Sequence, residues 1–253
     1  NEELFSFEWV KDVKALGTNK ARIFLRDNIR EWMKFRNNWD SFTWRTDILA
    51  KRISHLLSNM SFFYNTADED FQKKFTKLLN KQSIHLLKIY KKKNQGDKKI
   101  FIAKAIILAS LSFKNLSGKF QLGVNLLKEI IEDHILEDGM HYLRSPSEQF
   151  IFLQSLIDIK NFLGLSKIII PKFLNEAIYR MSSVLKFFKM GNGELAIFNT
   201  YKFIEPDEVN EVIKRSNSKL KTPDVLKFSG FHRISENRLN FLMDCGKPTS
   251  EKT

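Results

Sequence analysis

Cysteine is almost missing from this chain. One thiol, Cys245, in 253 residues excludes an internal disulfide framework and any multi-cysteine metal site; Cys245 reads as a small apolar residue. Proline and glycine are scarce, with 5 and 10 copies, too few for a β-rich chain of tight turns or for a disordered linker protein. No uninterrupted apolar run approaches the roughly 20 residues that span a bilayer, "IILASLSF" being the longest candidate region. The start at Asn1 shows no signal-peptide pattern. The end, "FLMDCGKPTSEKT", follows directly on an apparent strand and sets the expectation of a piece of a longer protein. Walker loops, dinucleotide fingerprints, HExxH helices and G-x-S-x-G elbows are absent.

What is present is apolar and basic. Hydrophobic residues make up 43% and aromatics 13%, enough for a substantial core. The formal charge of +13 predicts attraction to polyanions: nucleic acid, acidic polysaccharide or anionic lipid. Charge does not choose among them, and the abundance of Lys, Asn, Ile and Phe also fits drift towards A/T-rich codons.

Helical periodicity recurs along most of the chain. Residues 3 to 16 form a short amphipathic segment, and a second follows the turn "GTN", with Ala21, Phe24, Leu25, Ile29 and Trp32 in register. The stretch "SFTWRTDILAKRISHLLSNMSFFY" places Ile48, Leu49, Ile53, Leu56 and Leu57 on one side. Residues 70 to 91 continue the pattern after an acidic cluster suited to a helix N-terminus. A Lys-rich loop precedes "IFIAKAIILASLSF", whose near-continuous apolarity predicts a helix buried on several sides. Residues 119 to 136, the segment from Pro146, and a stripe running from Leu174 to Phe188 complete eight or nine helices. "EPDEVNEVIKRS" reads as a further short helix, and residues 226 to 244 read as two strands around "SEN". Helical hairpins of this kind close as a bundle, a solenoid or a toroid, and no fixed-period consensus supports a regular repeat array.

The sharpest local signal is "HILEDGMHYLRSPSEQF", residues 134 to 150. Ser145, Pro146 and Glu148 combine a capping box with an N1 proline, which fixes a helix start. Gly139 permits the positive φ that ends the preceding helix. Met140 to Arg144 are then expected as an extended connector, with His141 and Leu143 facing one way and Tyr142 and Arg144 the other. Arg144, beside a helix N-terminus, is suited to an anion such as a carboxylate. Spacing leaves another arrangement open, in which His141 and Tyr142 pack under the loop while Arg144 bonds a nearby carbonyl or Asp138.

Three segments together resemble the heparinase II/III family of bacterial polysaccharide lyases and its lyase-like relatives. "ILEDGMHYLRSPSEQF" is similar to the family's D-G-x-H-x-x-R-x-P element; "LKFFKMGNGELAIFN" resembles its G-D-G turn and L-x-x-F-N/D segment; "FSGFHRISENRLNFLMDCGKP" resembles its S-G-Y-x-R-L hairpin ending in D-x-G-x-P. The resemblance implies a mainly α fold: an incomplete α/α toroid of helical hairpins followed by the first strands of an antiparallel β-sandwich. It sets domain expectations of a toroid over 1–200, a linker over 201–224 and the start of the β domain over 225–253.

The implied activity is cleavage of a uronate-containing acidic polysaccharide by β-elimination, with no cofactor, no metal, no nucleic-acid partner and no transmembrane segment. The alternative is a catalytically inactive glycan-binding or envelope-assembly relative on the same scaffold. A nucleic-acid-binding helical protein, suggested only by the Lys clusters, lacks any reader motif. The resemblance implies a periplasmic or cell-envelope location, with the cytoplasm open. Removing the proton at C5 of a uronate requires a cation or amide to offset the carboxylate, and a base and an acid, usually Tyr and His. The candidates are His141, Tyr142 and Tyr201 for catalysis, with Arg144, Asn199 and Arg52 for substrate binding. Some lyase members carry an Asn-His pair where this chain has Lys98-Lys99, and a further catalytic His of the family would fall beyond residue 253; the chain alone is therefore expected to be inactive. His85, His134 and His232 are expected to pack, as are the four Trp residues.

Overall fold

The computed structural model describes residues 2–35, 38–91, 99–199, 202–236 and 239–247. The chain divides into two compact units, residues 1–127 and 128–253. The boundary falls inside a helix.

In the first unit the N-terminal segment is two helices, α1 (Glu2–Ser6) and α2 (Val10–Ala15), where periodicity predicted one. Phe7 breaks them with a φ of 56°. Its ring stacks on Trp9 and meets Trp32 edge-on, so an aromatic packing site decides a backbone turn that no local breaker announces. Next come α3 (Asn19–Phe35), α4 (Thr46–Phe63), α5 (Glu69–Ile89) and α6 (Lys99–Ser112). Asp68 caps α5 by accepting from the Phe71 amide at 2.9 Å. The helix α4 starts five residues later than the periodic stretch, because Asp40 instead accepts from the Phe42 and Thr43 amides and folds a turn there. As expected, α6 is buried on nearly every side, from Ile100 to Ser110, and it packs mainly on α4. A 3₁₀ segment, Lys114–Lys119, replaces the simple turn expected at "NLSGK".

The helix α7 (Phe120–His134) crosses into the second unit, which continues with α8 (Pro146–Leu165), α9 (Lys172–Phe188) and α10 (Pro206–Ser216). The start of α8 is as the sequence specified: Ser145 Oγ accepts from the Glu148 amide at 3.3 Å and Pro146 occupies the first turn. A three-stranded antiparallel sheet follows, β1 (Val225–Leu226), β2 (Phe231–Glu236) and β3 (Leu239–Asp244), in that order. Phe231, Leu226, Met140, Val184, Phe187 and Phe188 form one buried cluster. It fixes the sheet register: Phe231 points inward and His232 outward. The expectation that His232 packs is thereby corrected, since strand alternation gives that place to its neighbour. Arg233 donates to the carbonyls of Lys186, Phe187 and Lys189. A strand cation thus caps the carbonyl end of α9.

Candidate functional site

The α7–α8 connector folds back on itself instead of running extended. Ile135 and His141 form an antiparallel bridge, and the Tyr142 amide donates to the His134 carbonyl at 2.9 Å. A turn then closes with the Arg144 amide on the His141 carbonyl at 2.8 Å. Gly139 has the positive φ expected, 91°; a β-carbon there would lie 2.9 Å from the Arg180 backbone. Arg144 also adopts a left-handed φ, 54°. The predicted alternation fails for this reason: His141 and Arg144 are both buried, while Tyr142 and Leu143 are half-buried.

His141 is 1% exposed. Its ring sits 5.2 Å from Phe152, 4.9 Å from Tyr142 and 5.7 Å from His134, centroid to centroid. Its Nδ1 is buried without a hydrogen-bond partner among the described residues. Burial, with His134 adding to it, pushes the imidazole down to about 3. The ring is therefore neutral at physiological pH and sealed from solvent.

Gln149 organises this pocket and was not singled out by the sequence. Fully buried on α8, it accepts from the His141 amide at 2.6 Å and donates to the Gly139 and Met181 carbonyls at 2.9 and 3.0 Å. An uncharged polar residue directly ahead of the apolar run "FIFL" was the available signal.

Arg144 is occupied by protein groups. Its Nε donates to the Ser229 carbonyl at 2.9 Å, one Nη to the Lys247 carbonyl and the other to the Asp244 carboxylate. The guanidinium also lies over the Phe231 ring, 4.8 Å from its centroid. Asp138 is not its partner. That carboxylate instead accepts from the Phe228 amide, the Ser229 amide and the Ser229 hydroxyl at 2.9, 2.7 and 3.0 Å. Gly246 passes so close that a β-carbon would lie 2.3 Å from an Arg144 nitrogen.

Asn199 donates to the Arg144 carbonyl at 2.8 Å, and the Lys202 amide donates to Ser147 Oγ at 3.2 Å. The segment after α9 is laid in this way across the start of α8. Tyr201 lies outside the described residues. Arg52 belongs to the first unit and is fully buried. It donates to Gln82 and to the Phe5 and Thr43 carbonyls at 3.0, 3.1 and 2.9 Å, and burial lowers its guanidinium to about 9. It ties interior segments together and faces no solvent. The helix α6 begins at Lys99, and Lys98 lies outside the described residues. Among the described residues no His/Cys/Asp/Glu group could hold a metal. Of the Trp residues, Trp32 and Trp44 are buried, while Trp39 is exposed.

All three sequence elements that resembled a family thus meet around one point. The heparinase II/III N-terminus profile matches residues 2–222. The chain belongs to the heparinase II/III family. FtsZ-localized protein C of Caulobacter vibrioides is 26% identical over 250 residues, covering 97% of this chain and 42% of the relative. A crystal structure of heparinase III superposes with a TM-score of 0.72 at 14% identity, over 96% of this chain and 45% of that one. Heparan sulfate lyase HepC from Pedobacter heparinus gives 0.63 at 16% identity, over 95% and 43%. The chain therefore spans less than half the length of the relatives it matches. At these identities the structural matches show the fold, and it is the class expected: mainly α, with antiparallel strands at the C-terminal end. Among the described residues no helix is long and apolar enough to cross a membrane.

Proposed function

We propose that this heparinase II/III family member is a non-cleaving one, in which the family scaffold holds an acidic glycan or an envelope assembly without performing β-elimination. One observation carries the reading: Arg144, the connector cation best placed to offset a uronate carboxylate, is already neutralised by the Asp244 carboxylate. β-Elimination needs a cation or amide whose interaction strengthens as charge develops on the substrate. A guanidinium committed to Asp244 and two carbonyls has its charge already met within the protein. His141 is likewise sealed away, and a general acid or base must come within about 3 Å of the proton it moves. The start of α6 at Lys99, where some lyase members carry an Asn-His pair, supports the same reading. So does a relative named for localisation with FtsZ and not for a reaction.

A polysaccharide lyase is the second reading, favoured by the likeness to heparinase III and HepC and by the net positive charge. Half-buried Tyr142 and exposed Asn199 are then its candidate contacts, and Tyr201 is the sequence's further candidate. The full-length protein, incubated with heparan sulfate and alginate, decides between the two. The first reading expects retained binding with no rise in absorbance at about 232 nm, the signature of the unsaturated product of elimination. Sustained product formation by folded protein overturns it. The readings also differ in address: an enzyme resides where its polymer is, in the periplasm or envelope, and a sorted assembly protein resides with its assembly. A fluorescent fusion to the full-length chain reports which.

A further inference from the structure

The first unit carries a hollow that neither reading uses. It lies between α3 and α5 and encloses about 670 Å³. Its floor is apolar, made by Met33, Phe71 and Leu78. Phe71 and Leu78 are buried, and Met33 is half-buried and the most accessible of the three. The rim is cationic. Arg30 is paired with Asp27 and Asp68, and Lys74 with Asp70. Lys34, Lys77 and Lys81 also line it, and these three have no carboxylate partner among the described residues. Three uncompensated cations therefore surround a recessed apolar floor.

From this geometry we infer that the α3–α5 groove is a docking site for an acidic amphipathic helix of a protein partner. The occupant's apolar stripe sits on Met33, the accessible part of the floor, and its carboxylates face Lys34, Lys77 and Lys81. Lys77 and Lys81 are four residues apart on one helix face, the spacing that carboxylates on an apposed helix reproduce. Two helical walls with an apolar bottom suit a helix laid in a groove, through anchors at i, i+3, i+4 and i+7. The volume lies within the range of about 300–1,000 Å³ typical of binding pockets. An acidic glycan fits the rim but not the floor: Phe71 is 1% exposed and its ring is covered by the Arg30 guanidinium at 5.3 Å, so no aromatic face is presented to a sugar. A lipid surface fits the charge but not the shape, because the apolar atoms are recessed and a bilayer cannot follow them into a concavity.

This inference does not depend on whether the protein cleaves glycans. It is tested on the full-length protein with a fluorescein-labelled helical peptide about five turns long, carrying a Leu stripe flanked by Glu with Ala elsewhere. Anisotropy should report saturable binding that weakens as salt rises. The double variant Lys77→Glu/Lys81→Glu should weaken it at least about tenfold. Met33→Asp, which places a carboxylate on the floor, should weaken it similarly while leaving the melting temperature within about 2 °C. A peptide of the same composition with its Leu residues scrambled should bind at least about tenfold more weakly, because the stripe is lost. Equal binding of the scrambled peptide or of polyglutamate overturns the inference, as does indifference to the Lys77 and Lys81 reversal. Displacement of the peptide by heparan sulfate at lower concentration than by unlabelled peptide reassigns the groove to glycan. Charge-reversal-sensitive binding to phosphatidylglycerol vesicles in place of peptide reassigns it to lipid.

Discussion

Asp138 and Ser229, 91 residues apart, are joined by two hydrogen bonds to a single carboxylate oxygen, one from the serine amide and one from its hydroxyl. The Phe228 amide adds a third. With Arg144 bridging to Ser229, Asp244 and Lys247, the connector before α8 is the seat on which the C-terminal strands rest.

Removing that carboxylate leaves three backbone amides, those of Met140, Phe228 and Ser229, without an acceptor. Asp138→Ala should lower stability by about 2–3 kcal/mol, the range for hydrogen bonds to a charged group. Chemical denaturation gives the magnitude. Amide hydrogen exchange should show Phe228 and Ser229 losing protection before α8 does; unchanged exchange at those two amides contradicts the seat.

Arg144 separates structure from chemistry. Arg144→Lys keeps the charge but loses the fork that reaches three acceptors, so stability should fall by about 1.5–3 kcal/mol, the range for hydrogen bonds to a charged group. Glycan binding, normalised to folded protein, should be unchanged. A double-mutant cycle with Asp244→Asn should give a coupling of about 1 kcal/mol or more. Loss of glycan binding by a fully folded variant returns Arg144 to the substrate.

His141 sets a pH dependence. Its folded value of about 3 lies below the ordinary 6.5, so the native state prefers the neutral ring. The resulting stability is present above about pH 6.5 and is lost as pH falls from there towards 3. His141→Phe removes the titration and should flatten the fall in urea midpoint between about pH 6.5 and 4. His55, held at about 4 by burial and by Lys104, contributes with the same sign, so part of the slope persists in the variant.

Gly246 and Gly118 form a matched pair. A β-carbon at Gly246 would meet Arg144 at 2.3 Å and the Ser229 carbonyl at 2.5 Å, whereas nothing lies within 4 Å of Gly118. Gly246→Ala should destabilise by about 2 kcal/mol through overpacking, and Gly118→Ala should be neutral within about 0.5 kcal/mol. Thermal melts of the two variants check the contrast.

Local signals were legible in the sequence wherever the physics is local. Ser145, Pro146 and Glu148 fixed the start of α8, the apolar run of α6 announced its burial, and Gly139 marked a positive φ. The break at Phe7 was invisible because tertiary aromatic packing imposes it on residues with helical periodicity. Arg144 stayed open between an anion site and a carbonyl partner for a related reason: its acceptors lie 85 to 103 residues away, so spacing could not choose. Gln149 went unnoticed because one polar residue among several on α8 has no meaning until the backbone it pegs is in place.

The interlocking of the connector with the strands has a practical corollary for genome curation. A fingerprint drawn from those three stretches keys on residues that bond to one another, so what it reports first is an architecture.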